Sequence, residues 1–227
     1  DGTSLYLIFN EFDLDLKQRQ SPLSEPVDKD FVGERKVGLH LMALSGFLDD
    51  TWYDRMFWTY CRLWPGGGAL RRGTFAPKAG QILVFDDANT YALKAFAEPG
   101  GMSPKFVPGA KGYPLIADAN DSEPSNGLRR AKPPKWSVQV PVRARAMVLA
   151  DRTLFLAGPP DVVPDDDPYA AFEGRKGAML WGVSAEDGRK LVEYPVESLP
   201  VFDGMAAANG RLYMSTIDGE VLCLGGQ

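Results

Sequence analysis

The sequence has very few cysteine and histidine residues, and this scarcity excludes several kinds of site. Its 227 residues include two cysteines, Cys61 and Cys223, and one histidine, His40. A zinc site of four Cys and His side chains cannot be built from them alone, and a framework of several disulfides is excluded. Serine or cysteine hydrolase chemistry would have to run through His40. One bridge between the two cysteines stays open, but both lie in apolar runs, where a free cysteine behaves as a small buried side chain.

Long apolar runs and an excess of basic residues are also missing. The longest apolar runs, such as 82–85 and 146–150, are far shorter than the roughly 18 to 20 residues that cross a bilayer, so we expect no membrane span. The chain has 25 Lys and Arg residues against 30 Asp and Glu, which gives a net charge of −5. Because nucleic-acid binding depends on neutralising phosphates, we expect no nucleic-acid partner.

Glycine and proline are abundant, with 24 and 18 residues. Both exceed average usage, which indicates many turns and short strands in place of long helices. Asp-Gly dipeptides at 187–188 and 218–219 and an Asn-Gly dipeptide at 209–210 accept positive φ angles and suit hairpins. We therefore predict an all-β chain with three antiparallel hairpins near its carboxyl end.

Many of the predicted strands are apolar on both faces. In the segment 56–64, MFWTYCRLW, even and odd positions alike favour burial, whereas a two-layer sandwich with one wetted face would show alternation. One interpretation is a central strand of a large sheet. The other is a stack of small sheets, each covered on both sides by its neighbours, as in a β-propeller. The runs that predict strands are 4–9, 12–16, 38–44, 56–61, 81–86, 90–96, 113–117, 136–142, 145–150, 153–158, 178–185, 190–196, 205–208, 211–216 and 220–225.

Internal similarity favours the stack of small sheets. Segments 149–158 and 207–216 share a turn followed by an apolar strand, at an offset of 58 residues. Segments 80–94 and 177–191 share a glycine, a strand, a polar turn and a second strand, at an offset of 97 residues. Both offsets exceed the roughly 40 to 50 residues of common propeller blades. Long surface insertions would explain the excess, and the candidates are 17–37, 62–79, 97–112, 118–135 and 159–176.

Two segments near the carboxyl end carry a family resemblance. Residues 177–196, GAMLWGVSAEDGRKLVEYPV, and 200–225, PVFDGMAAANGRLYMSTIDGEVLCLG, resemble repeats of PQQ-like β-propellers, the quinoprotein alcohol dehydrogenase-like superfamily. The match is closest to uncharacterised secreted members in which stretches like 45–60 and 158–177 precede the terminal repeats. The resemblance implies one domain over 1–227, a partial β-propeller of about three to four four-stranded antiparallel blades with long loop insertions.

The resemblance also implies a setting for the chain. The sequence does not begin with Met, and its opening segment, SLYLIFNEFDLDL at 4–16, resembles an interior blade. We therefore expect this chain to be the C-terminal portion of a longer protein. The family implies a periplasmic or extracellular location.

The family's enzymology does not carry over with the fold. The docking repeat of quinoprotein dehydrogenases reads roughly Ala-x-Asp-x-x-x-Gly-x-x-x-Trp, whereas the nearest stretch, 185–191, places Gly188 directly after Asp187 and has no Trp. The adjacent cysteine pair that many of these enzymes place against the quinone is also missing. We therefore expect no cofactor in this chain, and PQQ and calcium stay open only for the parent protein.

The densest aromatic segment supplies the candidate ligand-binding residues, which are Trp52, Asp54, Arg55 and Trp58. Aromatic rings beside carboxylate and guanidinium groups suit a sugar or another flat ligand. The alternative, which we favour, is core between neighbouring sheets with an Asp–Arg pair closing a turn.

Other chemistry-bearing residues have simpler interpretations. His40 alternates with leucines and is expected to be a partly buried, hydrogen-bonded side chain. The acidic run 161–167 lacks the spacing of a calcium loop and is expected to be solvated. The glycines at 66–68 lack the Lys-Ser/Thr of a P-loop and are expected to form a surface loop. No catalytic residue and no metal ligand is nominated.

The favoured function is a non-catalytic module for protein–protein interaction or ligand binding. An incomplete propeller leaves faces bare and strand edges unpaired, which drives association. The expected partners are the missing N-terminal blades of the parent chain or a second copy. Two alternatives stay open: part of a quinoprotein-type oxidoreductase, and a surface protein that binds a glycan or small ligand at 52–64.

Overall fold

The structure is a computed structural model that describes residues 2–7, 10–19, 35–43, 58–64, 78–94, 108–109, 111–120 and 133–225. Among these residues every regular element is a β-strand, and every pairing between strands is antiparallel. The all-β prediction is confirmed for this part of the chain.

Two sheets have four strands each, and in both every strand pairs with the next one along the chain. The β6–β9 sheet consists of β6 (Ile82–Phe85), β7 (Asn89–Leu93), β8 (Tyr113–Ala119) and β9 (Trp136–Val140). The β10–β13 sheet consists of β10 (Ala146–Ala150), β11 (Thr153–Gly158), β12 (Ala178–Ser184) and β13 (Lys190–Val196). Both are therefore up-and-down meanders.

Three smaller sheets complete the described part. The β14–β16 sheet consists of β14 (Pro200–Ala208), β15 (Arg211–Thr216) and β16 (Val221–Gly225). The β3–β5 sheet consists of β3 (Arg35–Ala43), β4 (Trp58–Trp64) and β5 (Ala79–Gly80), and β1 (Leu5–Leu7) pairs with β2 (Asn10–Phe12). The β14–β16 sheet repeats the order of the first three strands of the larger sheets, without a fourth strand among the described residues.

The three predicted hairpins are confirmed. Asn209 and Gly210 join β14 to β15 with φ angles of 52° and 70°, the backbone that a two-residue turn between twisted strands requires. Gly188, in the connection from β12 to β13, has φ 76°, and Gly219, in the connection from β15 to β16, has φ 88°. Each of these positions uses a backbone region that glycine or asparagine enters at low cost.

The core lies between sheets that meet in chain order. Strand β10 lies against β6 on one side and against β14 on the other. Leu154 and Leu156 of β11 are fully buried in a cluster shared with the β6–β9 sheet. Ala157 and Leu180 lie in a second cluster shared with the β14–β16 sheet. The β10–β13 sheet is thus covered on both faces, which explains why its strands are apolar on both faces.

The predicted strand at 12–16 is wrong. Strand β2 ends at Phe12, and the Asp13 carboxylate then accepts hydrogen bonds from the backbone N–H groups of Asp15 and Lys17 at 3.0 and 2.9 Å. Leu16 adopts φ 63°, and its side chain is exposed. An Asp side chain that caps its own turn competes with strand pairing, and here the turn prevails over the alternation of leucines.

One of the two predicted internal repeats aligns equivalent strands. Segments 149–158 and 207–216 contain β11 and β15, each the second strand of its sheet. Segments 80–94 and 177–191 align the first two strands of one sheet with the last two of another, so their offset of 97 residues is not a repeat length. Every hairpin of a meander has a similar sequence pattern of strand, turn and strand, and this explains the similarity between segments 80–94 and 177–191.

A substitution at Gly158 tests how closely β11 approaches the segment before β10. A methyl group on Gly158 would collide with the backbone carbonyl of Arg143. We expect Gly158→Ala to destabilise the chain by about 2 kcal/mol, since the backbone must shift to admit the methyl group. Urea unfolding followed by tryptophan fluorescence measures the change. Gly225→Ala is the matched control, because its methyl group meets only the Arg211 side chain at 3.8 Å; equal effects of the two changes would contradict the prediction.

Candidate functional site

An open groove lies between the β10–β13 sheet and the β14–β16 sheet. It encloses about 1250 Å³. Its apolar lining comes from both sheets and includes Phe155, Leu180, Tyr194, Leu212 and Leu222. In a four-stranded sheet this space would be bordered by one more strand beside β16. The groove is therefore open on the side where the β14–β16 sheet has one strand fewer than its neighbour.

The two ends of the groove differ in charge. Glu197, Asp218 and Glu220 lie at the end where β13 leads into β14 and β15 turns into β16. A hydrogen bond from the Thr216 hydroxyl lowers the pKa of Asp218. Arg211 lies at the opposite end, where β15 begins and β16 finishes. Asp151, in the turn after β10, also lines the groove at the Arg211 end, so carboxylate groups lie at both ends and the arginine at one of them.

The outer edge of β16 lacks the protection that β13 has. Strand β13 is also outermost in its sheet, and it carries Pro195 and an ion pair of 2.6 Å between Lys190 and Glu193. Charged side chains and proline on an outer strand discourage pairing with further strands. Strand β16, with the sequence VLCLG, has neither a charge nor a proline. Among the described strands the outer edge of β16 pairs with none, and its own sequence does not discourage pairing.

The outer face of the β14–β16 sheet is mostly apolar, and among the described residues much of it is exposed. Because side chains alternate along each strand, Met205, Leu212, Met214 and Leu222 face the β10–β13 sheet. The opposite face carries Ala206, Ala208, Tyr213, Ser215, Val221 and Cys223, with Arg211 as the one charged side chain of the paired strand residues there. Val221 is 67% exposed. A solvated face of an antiparallel sheet normally carries polar residues, so this face resembles one that a partner covers.

Cys223 departs from the sequence-based prediction. It was expected to be a small buried side chain, but it is free and exposed on β16. The Arg211 guanidinium lies 3.8 Å from its sulfur. A bridge to Cys61 is not formed. The apolar neighbours of Cys223 suggested burial, whereas β16 is the outermost strand of its sheet among the described residues, and there the side chain is exposed.

Of the four predicted ligand-binding residues, the structure describes only Trp58, so the predicted site stays a prediction. Trp52, Asp54 and Arg55 lie outside the described residues. Trp58 is half-buried on β4, opposite Ala43 of β3 and Gly80 of β5. Two positions along β4, Tyr60 is buried, and its ring stacks on Phe85 with centroids 4.0 Å apart. Tyr60 therefore belongs to the contact between two sheets, as the core interpretation predicts for this segment.

Two other predicted positions are described only in part or not at all. His40 pairs with Cys61 between β3 and β4, and the side chains of both lie outside the described residues. The glycines at 66–68 also lie outside them. The predictions for these side chains and for the loop stay predictions.

The prediction of a solvated acidic loop is wrong for Asp161. Its carboxylate accepts hydrogen bonds from the Tyr113 hydroxyl at 2.7 Å and from the Gly109 N–H at 3.0 Å. Arg143 forms an ion pair with it at 3.3 Å, and the two side chains are only 3% and 2% exposed. The Arg143 guanidinium also lies over the ring of Phe172, 5.1 Å from its centroid. Farther along the run, Asp165 and Asp166 are exposed as predicted.

This buried cluster fixes the long 159–177 connection in place. It ties that connection to the start of β8, through Tyr113, and to the segment between β9 and β10, through Arg143. Burial raises the pKa of Tyr113, and the Arg143 charge only partly opposes the shift. The phenol therefore stays protonated and donates to Asp161. The one sequence signal was RAR at 143–145, charged residues inside an otherwise apolar run.

A second buried polar cluster lies beside the β6–β9 sheet. Lys78 is fully buried, and its ammonium group donates to the Asn120 carbonyl at 3.2 Å. The Asp118 carboxylate accepts from the Lys78 N–H at 3.0 Å, and the Thr90 hydroxyl donates to the Asn120 side chain at 2.6 Å. These bonds hold the segment before β5 against the end of β8. The cluster is closed off from solvent and joins two sheets, which is a structural role.

The described residues were compared with what PQQ and a bound metal ion would need. The stretch 185–191, nearest in sequence to a quinone-docking repeat, forms the hairpin between β12 and β13, and Asp187 there accepts the Arg189 N–H at 3.1 Å. No group of three or more His, Cys, Asp or Glu side chains with metal-binding geometry occurs in the part of the chain that the structure describes.

Comparison with protein-family models finds no match for this chain, and comparison with curated proteins finds none either. The resemblance to PQQ-like β-propellers therefore stays a prediction from the sequence. Within the described residues there is no helix with the length and apolar character that a membrane crossing needs.

Replacing Asp161 by asparagine removes the negative charge of the side chain and keeps the shape of the side chain. We expect Asp161→Asn to destabilise the chain by about 3 to 5 kcal/mol, because the buried Arg143 charge loses its ion pair with the Asp161 carboxylate. Denaturant unfolding measures the loss, and limited proteolysis should cut the 159–177 connection faster. Asp166→Asn, on the same connection but exposed, is the control and should change stability by no more than about 0.5 kcal/mol. A loss of the same size in both variants would contradict the role of the cluster.

Asp203 lies in an irregular part of β14, where the register with β15 shifts between Pro200 and Met205. Its backbone N–H donates to the Arg145 carbonyl at 2.9 Å. Desolvation by the surrounding protein raises the pKa of Asp203 to about 6. The residue is nevertheless exposed, and because water still reaches the side chain, the energetic effect is smaller than the pKa alone implies.

This pKa predicts a pH-dependent stability. The unfolded carboxyl group loses its proton near pH 3.8 and the folded one near pH 6, so the folded state loses stability as the pH rises through this window. We expect Asp203→Asn to stabilise the chain by about 1 kcal/mol at pH 8, after allowance for solvent screening, and to leave it unchanged below pH 4. Thermal unfolding at both pH values measures this. The control is Asp151→Asn, an exposed Asp with a similar φ of 52°; a pH dependence equal to the control's would contradict the prediction.

Proposed function

We propose that this chain is a non-catalytic interaction module of the PQQ-like β-propeller type. Its sheets act as blades, about three to four in number, and the partial propeller is completed by further blades of a longer parent chain or by a second copy. The periplasmic or extracellular location belongs to the same proposal and rests on the sequence resemblance alone.

The order of contacts between sheets supports the blade arrangement. The β3–β5 sheet lies against the β6–β9 sheet through β4 and β6, and the β6–β9 sheet lies against the β10–β13 sheet through β6 and β10. The β14–β16 sheet follows through β10 and β14. The first strands β6, β10 and β14 of three successive meanders thus lie side by side. In propellers, the first strands of the blades line a common axis.

The observation that carries the proposed function is the incomplete β14–β16 sheet. It combines an unprotected edge at β16, an uncovered apolar face and a groove of about 1250 Å³ in one region of the surface. Exposed apolar surface of this kind marks sites where proteins associate. The buried clusters at Asp161 and Lys78 are closed to solvent and offer no second surface of this kind.

The two alternatives, a quinoprotein-type oxidoreductase and a glycan-binding surface protein, are not supported by any specific contact among the described residues. The oxidoreductase needs a cofactor that these residues do not fit. The glycan-binding surface rests on Trp52, Asp54, Arg55 and Trp58, of which only Trp58 is described, and Trp58 is half-buried.

Association of the full chain tests the proposal. Size-exclusion chromatography with light scattering should show dimers or larger species at micromolar concentrations, because the uncovered face favours contact with other protein surface. Ala206→Glu places a charge on that face at an exposed position and should weaken association about tenfold while leaving stability unchanged. Tyr169→Glu, at a residue 63% exposed on the 159–177 connection, is the control. A stable monomer with no bound partner would contradict the proposal.

A further inference from the structure

We propose that Asn209 is a site of spontaneous covalent modification, where the side-chain amide is lost and the residue becomes aspartate or isoaspartate. The inference goes beyond the proposed function and does not depend on it. Three observations carry it. Asn209 is followed by a glycine, both residues are exposed at the tip of the β14–β15 hairpin, and the Gly210 N–H donates to no acceptor among the described residues.

The reaction needs only these two residues and water. The Gly210 backbone nitrogen gives its proton to water and attacks Cγ of the Asn209 side chain. The bond from Cγ to the side-chain nitrogen then breaks, and that nitrogen takes up a proton and leaves as ammonia. The product is a succinimide ring, and water opens the ring at one of its two carbonyl groups. Opening at one carbonyl gives aspartate and opening at the other gives isoaspartate, and no electrons are transferred in any step.

The hairpin leaves the attacking nitrogen open. Gly210 has no side chain, and apart from its chain neighbours no heavy atom lies within 4 Å of the position where a side chain would begin. In a two-residue turn the strands bond through the flanking residues, which here are Ala208 and Arg211, so the pairing does not use the Gly210 N–H. The nitrogen therefore enters the reaction without first losing a hydrogen bond.

The glycines in the β12–β13 and β15–β16 connections are not open in this way. The Gly188 N–H donates to the Ser184 carbonyl at 2.9 Å, and Gly188 is buried against the ring of Trp136. The Gly219 N–H donates to the Thr216 carbonyl at 3.0 Å. Both glycines also follow an aspartate, whose carboxylate is a poorer target for attack than an amide. Among these three connections, only the β14–β15 turn combines the reactive side chain with the open nitrogen.

The two products affect the hairpin differently. Aspartate accepts the positive φ of position 209 as asparagine does, so it keeps the turn and adds a negative charge beside Arg211 at the rim of the groove. Isoaspartate adds one carbon atom to the backbone between β14 and β15. Because the length of the turn sets the register of a hairpin, the pairing of Ala208 with Arg211 would then be lost.

Peptide mapping of the folded full chain during incubation at pH 8 is the first test. Mass spectrometry should find a gain of about 1 Da at Asn209, and fragmentation should assign it to aspartate and isoaspartate. Asn120, whose buried side chain donates to the Asp86 carbonyl, is the internal control and should not react. Asn126 also precedes a glycine, lies outside the described residues and is followed on its own peptide. An Asn209 that stays unmodified in the folded chain, while the urea-unfolded chain reacts there, overturns the proposal.

Asp187→Asn is the second test, because it places the same dipeptide where the glycine N–H is bonded and buried. Asp187 is exposed and accepts the Arg189 N–H through an oxygen that asparagine keeps, so the variant should fold, and circular dichroism verifies this. We expect position 187 to react about tenfold more slowly than Asn209 in the same molecule, since the Gly188 hydrogen bond must break first. Slower reaction at 187 supports the proposal. Equal rates at the two positions overturn it, because the dipeptide and not the open nitrogen would then determine the site.

Discussion

The β10–β13 sheet has apolar side chains on both faces, and the rest of the described structure depends on covering them. Leu154 and Leu156 on one face pack with the β6–β9 sheet, and Ala157 and Leu180 on the other pack with the β14–β16 sheet. A sheet of this composition cannot leave either face in water without a large cost in apolar exposure. This requirement sets three sheets side by side, with the β10–β13 sheet between the other two.

The buried polar clusters work within this constraint. Without these clusters, the long connections between strands would have no fixed position against the sheets. The ion pair of Arg143 with Asp161 and the bonds of Lys78 anchor such segments against the sheets at defined points. A buried pair of this kind contributes little net stability, since desolvation offsets most of its attraction, but it penalises any other placement of the segment. The clusters therefore specify the arrangement more than they stabilise it.

The sequence predicts local features of this chain well and long-range ones poorly. The hairpins at 187–188, 209–210 and 218–219 follow from the backbone preference of glycine and asparagine, which acts within two residues. The burial of Asp161 depends on Tyr113 and Arg143, which are 48 and 18 residues away. Nothing next to Asp161 distinguishes it from the exposed Asp165. The exposure of Cys223 likewise depends on the outermost position of β16 among the described strands, and the apolar pattern of β16 carries no sign of that.

The strict chain order of the sheets has a consequence for how the molecule assembles. Each strand pairs with its neighbour in sequence, so every sheet can form from local hairpins soon after its residues leave the ribosome. Contacts between sheets then join units that are already formed, and each unit depends mainly on the one before it and the one after it. Stability in such an array spreads from neighbour to neighbour, so a change in one sheet is felt first by the sheets directly beside it.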